Sequence, residues 1–149
     1  MKKIAFLLCI AATALVVACN SADTKSTGGL TQAQKDSVGR DSANFTTIQW
    51  LDSTVLDLGK TKEGTVVDIS YRFKNTGDKK LIIEDVRAGC GCTIPEKPEQ
   101  PFAPGEQGVI RAKFNSAGKL GNNDKYVTVV ANTKPDKETV LHFKVEVVK

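Results

Sequence analysis

The sequence predicts an all-β fold, an antiparallel sandwich of two sheets with about seven strands. Three observations predict it. Segments between residues 44 and 149 alternate apolar and polar side chains with a period of two. Clusters of Gly, Pro, Asn, Asp and Ser separate those segments. No stretch of the same region carries a convincing helical period.

Taken in order, the first two candidate strands are short, residues 46–50 and 55–58. Next, Thr65, Val67, Ile69, Tyr71 and Phe73 share one parity, with Asp68, Ser70, Arg72 and Lys74 on the other, so this strand is half-buried. Asn75-Thr76-Gly77-Asp78 reads as a turn. Leu81-Ile82-Ile83 opens the following strand, whose mixed parity through Val86 calls for a bulge or for burial on both faces. Pro95, Pro98, Pro101 and Pro104 recur every third residue, which matches polyproline II. The expectation is a stiff crossover between the sheets, with a Pro-rich ligand for a partner's groove as the alternative. Gly108, Ile110, Ala112 and Phe114 then share a face, as do Val127, Val129 and Ala131, and finally Leu141, Phe143, Val145 and Val147. The expected core comprises Val67, Ile69, Tyr71, Phe73, Ile110, Phe114, Val127, Val129, Leu141, Phe143 and Val145, joined by Trp50. Trp50 precedes both cysteines of this region, so the Cys…Trp…Cys order of antibody domains is absent. The sandwich is immunoglobulin-like in architecture only.

The N-terminus gives an address. Lys2 and Lys3 precede an uncharged run from Ile4 to Ala18. As a helix, such a run spans roughly 22 Å, short of the ~30 Å hydrocarbon core, so it reads as a secretory signal over residues 1–18. Leu15-Val16-Val17-Ala18-Cys19 resembles the bacterial lipobox. That resemblance implies cleavage after Ala18, a diacylglycerol thioether on Cys19 and acylation of the new amino group, with palmitate-class chains as the anchor. Two or three acyl chains hold a protein stably where one does not. The alternative is ordinary signal cleavage with Cys19 as a free thiol.

Residues 19–43 carry Leu30 and Val38 as their only large aliphatics and read as a flexible tether. A short helix over residues 31–39 is the alternative. Asp36-Ser37-Val38, Asp41-Ser42-Ala43 and Asp52-Ser53-Thr54 look like the O-glycosylation sequon of exported Bacteroidetes proteins. Ser37, Ser42 and Ser53 are therefore candidate acceptors. Asp-Ser turn and cap chemistry explains the same tripeptides. The domain itself occupies residues 44–149.

Charge and composition exclude several classes. The chain has 21 Lys and Arg against 17 Asp and Glu, a formal +4, and losing Lys2 and Lys3 leaves the mature chain nearly neutral. Nucleic-acid binding is not expected, because it needs a concentrated basic face. One His, no Gly-rich phosphate loop and no specific Ser/His/Asp arrangement give no basis for an enzyme or for a cofactor.

A family resemblance rests on an ordered set of motifs. They are Leu56-Asp57-Leu58-Gly59, Gly64, Phe73-Lys74-Asn75-Thr76-Gly77, Leu81-Ile82-Ile83, Cys90-Gly91-Cys92-Thr93, Ala103-Pro104-Gly105-Glu106-Gln107-Gly108 and Phe114-Asn115. In that order, they resemble a domain-of-unknown-function family common in Bacteroidetes lipoproteins, marked by Cys-Gly-Cys-Thr and Phe-x-Asn-Thr-Gly. That family is similar to the major-sperm-protein and hydin-like branch of immunoglobulin-like domains. The family commonly has Phe-Gly where Leu58-Gly59 stands. The resemblance implies a fold and an envelope location, and no catalytic residue.

Cys90 and Cys92 remain for chemistry, in an oxidising compartment. A disulfide across Gly91 closes a very small ring. The loop-entropy relation gives it only ~1.6 kcal/mol, against ~3 for fifteen residues. It is thus a poor staple. The pair reads as a local structural disulfide or two thiols packed at a strand end. The alternatives are a redox relay or a soft-metal site, perhaps with His142. His142 sits on the polar parity of the last strand and reads as a surface residue. The expected function is a non-enzymatic binding or assembly module, lipid-anchored in the bacterial envelope at the periplasmic face of the outer membrane. Its expected partner is an envelope protein or a glycan, and a periplasmic thiol-redox or soft-metal-binding protein is the second expectation.

Overall fold

The computed structural model describes residues 42–149. Cys19, Ser37, the signal segment and the tether as far as residue 41, with its alternative helix, lie outside the described residues. A 3-10 turn at Ser42–Asn44 leads into eight strands: β1 (Ile48–Trp50), β2 (Val55–Lys62), β3 (Val66–Asn75), β4 (Ile83–Ala88), β5 (Thr93–Glu96), β6 (Gln107–Asn115), β7 (Gly121–Ala131) and β8 (Glu138–Val148). They form two four-stranded sheets, ordered β1-β3-β6-β5 and β2-β8-β7-β4. The fold is an all-β, immunoglobulin-like sandwich.

The period-two strands stand where the alternation put them. Ile69, Tyr71, Phe73, Ile110 and Phe114 of the first sheet face Val127, Val129, Leu141, Phe143 and Val145 of the second, and all are buried. Val67 is only partly buried, at the rim where β3 begins. Trp50 packs edge-on against Phe73 at 5.8 Å, and Phe114 against Phe143 at 5.7 Å. The mixed parity after Leu81 is a bulge, a register shift between Ile83 and Asp85 where β4 pairs with β7.

Two expectations need correction. The Pro-rich segment is not a crossover between sheets. Thr93–Glu96 is an eighth strand, paired antiparallel with β6, and Pro95 sits opposite Ala112. An edge strand tolerates a proline because one side of it needs no N–H donor. The crossover occurs earlier, at residues 89–92, between β4 in one sheet and β5 in the other. The sandwich is also not wholly antiparallel: β2 runs parallel to β8.

The signature motifs hold one end of the sandwich together. Asn75 is fully buried. Its Oδ1 accepts from the Thr46 hydroxyl (2.8 Å) and the Gly77 N–H (3.1 Å), and its Nδ2 donates to the carbonyls of Lys79 (2.7 Å) and Phe102 (3.0 Å). Gly77 is required there, since a Cβ would stand 2.1 Å from the Thr46 hydroxyl. Likewise, a Cβ on Gly108 would meet the rings of Phe73 and Phe102 at 2.4 and 2.5 Å. Asn132, equally buried, accepts from the Ile82 N–H (2.7 Å) and donates to the carbonyls of Asn44 and Lys80. The described chain enters at this end. Antiparallel β3 carries the structure to the opposite end, roughly 30 Å away for a ten-residue strand.

Tyr71 links the sheets, its hydroxyl donating to the His142 carbonyl at 2.7 Å. Burial pushes its phenol up to about 12. The fold holds the neutral phenol, so this contribution is fully present below the ordinary value of 10.0 and is lost as pH rises toward about 12. Tyr71→Phe is expected to lower stability at neutral pH by about 1 kcal/mol and to flatten the alkaline loss. Denaturant unfolding of parent and variant on either side of the phenol range checks both signs. Parallel pH profiles would exclude Tyr71 as the titrating group.

Candidate functional site

At the end of the sandwich remote from the chain's entry, β4 gives way to the Cys90-Gly91-Cys92-Thr93 turn. A disulfide joins Cys90 and Cys92, whose Cα atoms are 5.3 Å apart. Three backbone bonds hold the turn, two of them to neighbouring strands. The Gly89 N–H donates to the Tyr126 carbonyl (3.3 Å), the Thr93 N–H to the Cys90 carbonyl (3.2 Å), and the Asn115 N–H to the Cys92 carbonyl (2.9 Å). Thr93 is buried and opposite Phe114, and its hydroxyl lies 3.7 Å from Cys90 Sγ. Cys90 and Cys92 are both partly exposed, Cys92 packing in part against the core, and Gly91 between them is exposed.

His142 does not join the cysteines. It lies on β8, with β7 between it and β4. Its Nδ1 is 3.8 Å from Asp124 Oδ1, and its ring is tilted beside Tyr126. Among the described residues no group of three or more His, Cys, Asp or Glu could hold a metal ion.

Tyr126 is the residue that sequence reasoning passed over. It stands opposite His142, which in turn stands opposite Val55. Its ring covers Gly89, where a Cβ would approach it to 2.5 Å. Val140, two residues before His142, shares its face. Val55, Tyr126 and Val140 are 50%, 46% and 44% exposed. The signal was in the sequence: these three large side chains occupy the polar parity of their strands. Paired charges flank them. Arg87 meets Glu138 at 2.6 Å on one side, and Lys144 approaches Asp124 at 3.8 Å on the other. Beyond Asp124 the same face opens into a groove of about 500 Å³ lined by Asp57, Lys60, Asn122, Lys144 and Glu146.

The sequon residues divide. Ser53 is exposed, and its hydroxyl donates to the Val55 carbonyl (2.7 Å) and accepts from the Val55 N–H (3.1 Å). The neighbouring Asp52 is clasped by Arg72 through Nε and Nη2, with Nη2 at 2.6 Å from Oδ1. Hydrogen bonding to Arg72 holds the Asp52 carboxyl below its ordinary value. The Asp52-Ser53 pair thus serves the bend between β1 and β2. Ser42 begins the 3-10 turn.

Several solved structures are similar to this chain. A protein of unknown function from Porphyromonas gingivalis W83 aligns with a TM-score of 0.62 and 16% identity, over 71% of this chain and 49% of that one. The chain therefore spans about half the length of that protein. The ASH/PapD-like domain 7 of human CEP192 aligns with a TM-score of 0.57 and 7% identity, over 71% of this chain and 88% of that one. The secreted serine protease VesC from Vibrio cholerae aligns with a TM-score of 0.53 and 10% identity, over 68% of this chain and 23% of that one. At these identities the likeness is one of fold. A search of curated proteins finds no match. The model of the family described as a protein of unknown function, DUF1573, matches residues 48–147, which is the sandwich from β1 to the last residues of β8, and the chain belongs to that family.

Proposed function

We propose that this chain is a lipid-anchored bacterial envelope protein whose immunoglobulin-like domain is a docking module for another envelope protein. The outer face of the β2-β8-β7-β4 sheet carries the reading. On it, Val55, Tyr126 and Val140 form an apolar centre about His142, between two flanking charge pairs. An apolar centre with a charged rim is the ordinary anatomy of a protein interface. A solvated sheet face has no need of Val55 and Val140, and Tyr126, although it covers Gly89, is 46% exposed. The adjoining groove, with its carboxylates, amides and ammonium groups, is the part of this face suited to a glycan. The lipobox-like Val17-Ala18-Cys19 supports a lipid anchor at Cys19, and Asn20-Ser21 after it favours the periplasmic side of the outer membrane.

The test uses the full chain in cells, with a photo-crosslinking phenylalanine analogue in place of Tyr126. A discrete cross-linked product is expected. It is expected to vanish when Val55→Glu and Val140→Glu are added, although the domain stays folded, because exposed strand positions shift stability by only about 0.5 kcal/mol. Persistence of the product in the charged variant would exclude this face. Cys19→Ser is expected to leave the protein unprocessed or soluble. A variant with its signal removed that still partitions into detergent would exclude the lipid anchor.

A further inference from the structure

We propose that the Cys90–Cys92 disulfide is a thiol–disulfide exchange site that oxidises dithiols while the domain stays folded. The proposal does not depend on the docking face. It rests on four observations around the turn.

First, the bond links residues separated by only two positions, so it restricts little of the unfolded chain. Second, the turn is held without it. The Gly89 and Asn115 N–H bonds tie the two sides of the ring to β7 and β6, and the Thr93 N–H bond to the Cys90 carbonyl closes the turn itself. Reduction would therefore leave the two sulfurs side by side, ready to re-form the bond. Third, the turn is approachable: Cys90 and Cys92 are both partly exposed, Gly91 between them is exposed, and the turn lies at the end of the sandwich opposite the chain's entry. Fourth, the Thr93 hydroxyl lies 3.7 Å from Cys90 Sγ. The only hydrogen available in that contact is on the hydroxyl, because a disulfide sulfur carries none.

The fourth observation gives the exchange a direction. A thiolate stabilised by a hydrogen-bond donor is the better leaving group. One thiolate of the incoming dithiol attacks Cys92 Sγ and forms a mixed disulfide. The Cys90–Cys92 bond breaks, and Cys90 leaves as the thiolate that accepts from Thr93. The second thiolate of the dithiol then attacks its own partner's sulfur within the mixed disulfide. Cys92 leaves as a thiolate, and the dithiol departs as a disulfide. Two electrons and two protons pass to Cys90 and Cys92. Thr93 is a positioning residue in this scheme.

The test uses the purified full chain in detergent with dithiothreitol as the dithiol, and scores free thiols by mass-tagging alkylation. Two additional thiols are expected to appear in the native protein as readily as in guanidinium. The reduced protein is expected to unfold at nearly the parent temperature, as is the C90S/C92S variant, and to re-form the bond with oxidised glutathione. A disulfide that yields to dithiothreitol only after unfolding, or whose reduction unfolds the domain, would overturn the proposal. Thr93→Val, which keeps the shape of the side chain, is expected to slow native-state reduction about tenfold, the effect of removing one hydrogen bond to a thiolate. It is also expected to move the pH profile of reoxidation upward, while Thr93→Ser restores both. Parent-like kinetics in a folded Thr93→Val protein would overturn the assignment of Cys90 as leaving group.

Discussion

Phe143→Ala is expected to destabilise the domain by about 3–5 kcal/mol, a large share of the 5–15 kcal/mol that holds a typical domain of this size. Phe143 is fully buried on β8, the central strand that pairs with both β2 and β7. Its ring meets Phe114 of the facing sheet edge-on at 5.7 Å, so truncation opens a void shared by both sheets. The backbone on either side is fixed by its ladders and cannot collapse far into that void, which places the cost toward the upper part of the range. The thermal midpoint is expected to fall by at least about 12 °C, taking about 4–8 °C per kcal/mol. Phe143→Leu retains most of the volume and is expected to cost under about 1.5 kcal/mol. A double-mutant cycle with Phe114→Leu should show a coupling of about 0.5–1.5 kcal/mol for the aromatic pair. Urea unfolding of the parent, the three single variants and the Phe143→Leu/Phe114→Leu double variant provides these values. A loss below about 1 kcal/mol for the alanine variant would mean that the ring is not a core element.

The long strands were legible because burial on one face forces a two-residue period, and Ile69, Tyr71 and Phe73 or Leu141, Phe143 and Val145 satisfy it without interruption. What was not legible depends on partners distant in sequence. The parallel pairing of β2 with β8 joins Leu56 to Phe143, and nothing local in either strand reports such a neighbour. β5 hid behind Pro95, because proline argues against a strand unless the strand is known to lie at an edge, and edges are set by topology. The turn signal at Asn75 was correct, but the reason for that particular residue is the presence of Thr46 and Phe102, 29 and 27 positions away. Asn132 gave no signal at all, since a polar residue after an apolar strand reads as a loop. The same blindness affected the site. The cysteine pair announced itself by spacing, but the Thr93 hydroxyl and the Tyr126 ring over Gly89 exist only once β4, β5, β6 and β7 are assembled.

Asn75 carries the second large effect. Removing its amide by Asn75→Ala is expected to cost about 2–4 kcal/mol, because it deprives buried groups of their partners. The share is unequal among its four contacts. The Phe102 carbonyl also accepts from the Leu81 N–H, and Lys79 is exposed, so those two acceptors keep a partner or can find water. The Thr46 hydroxyl is fully buried and the Gly77 N–H lies in the turn beneath it, so these two donors bear most of the loss. Asn75→Asp separates hydrogen bonding from volume. The carboxylate can still accept from Thr46 and Gly77, but its other oxygen faces the Lys79 and Phe102 carbonyls, where the parent places a donor. Only the protonated acid can donate there. Folding then favours protonation, and the folded-state pKa of that new carboxyl rises above its unfolded value. The sign follows: the aspartate variant is expected to be relatively more stable below the ordinary carboxylate range near 3.9 and to lose that advantage as pH rises through its folded value. Comparing parent, alanine and aspartate variants by urea unfolding at acid and neutral pH separates the two roles. An aspartate variant whose stability difference from the parent is the same at both pH values would show that the Asn75 amide does not donate to those carbonyls.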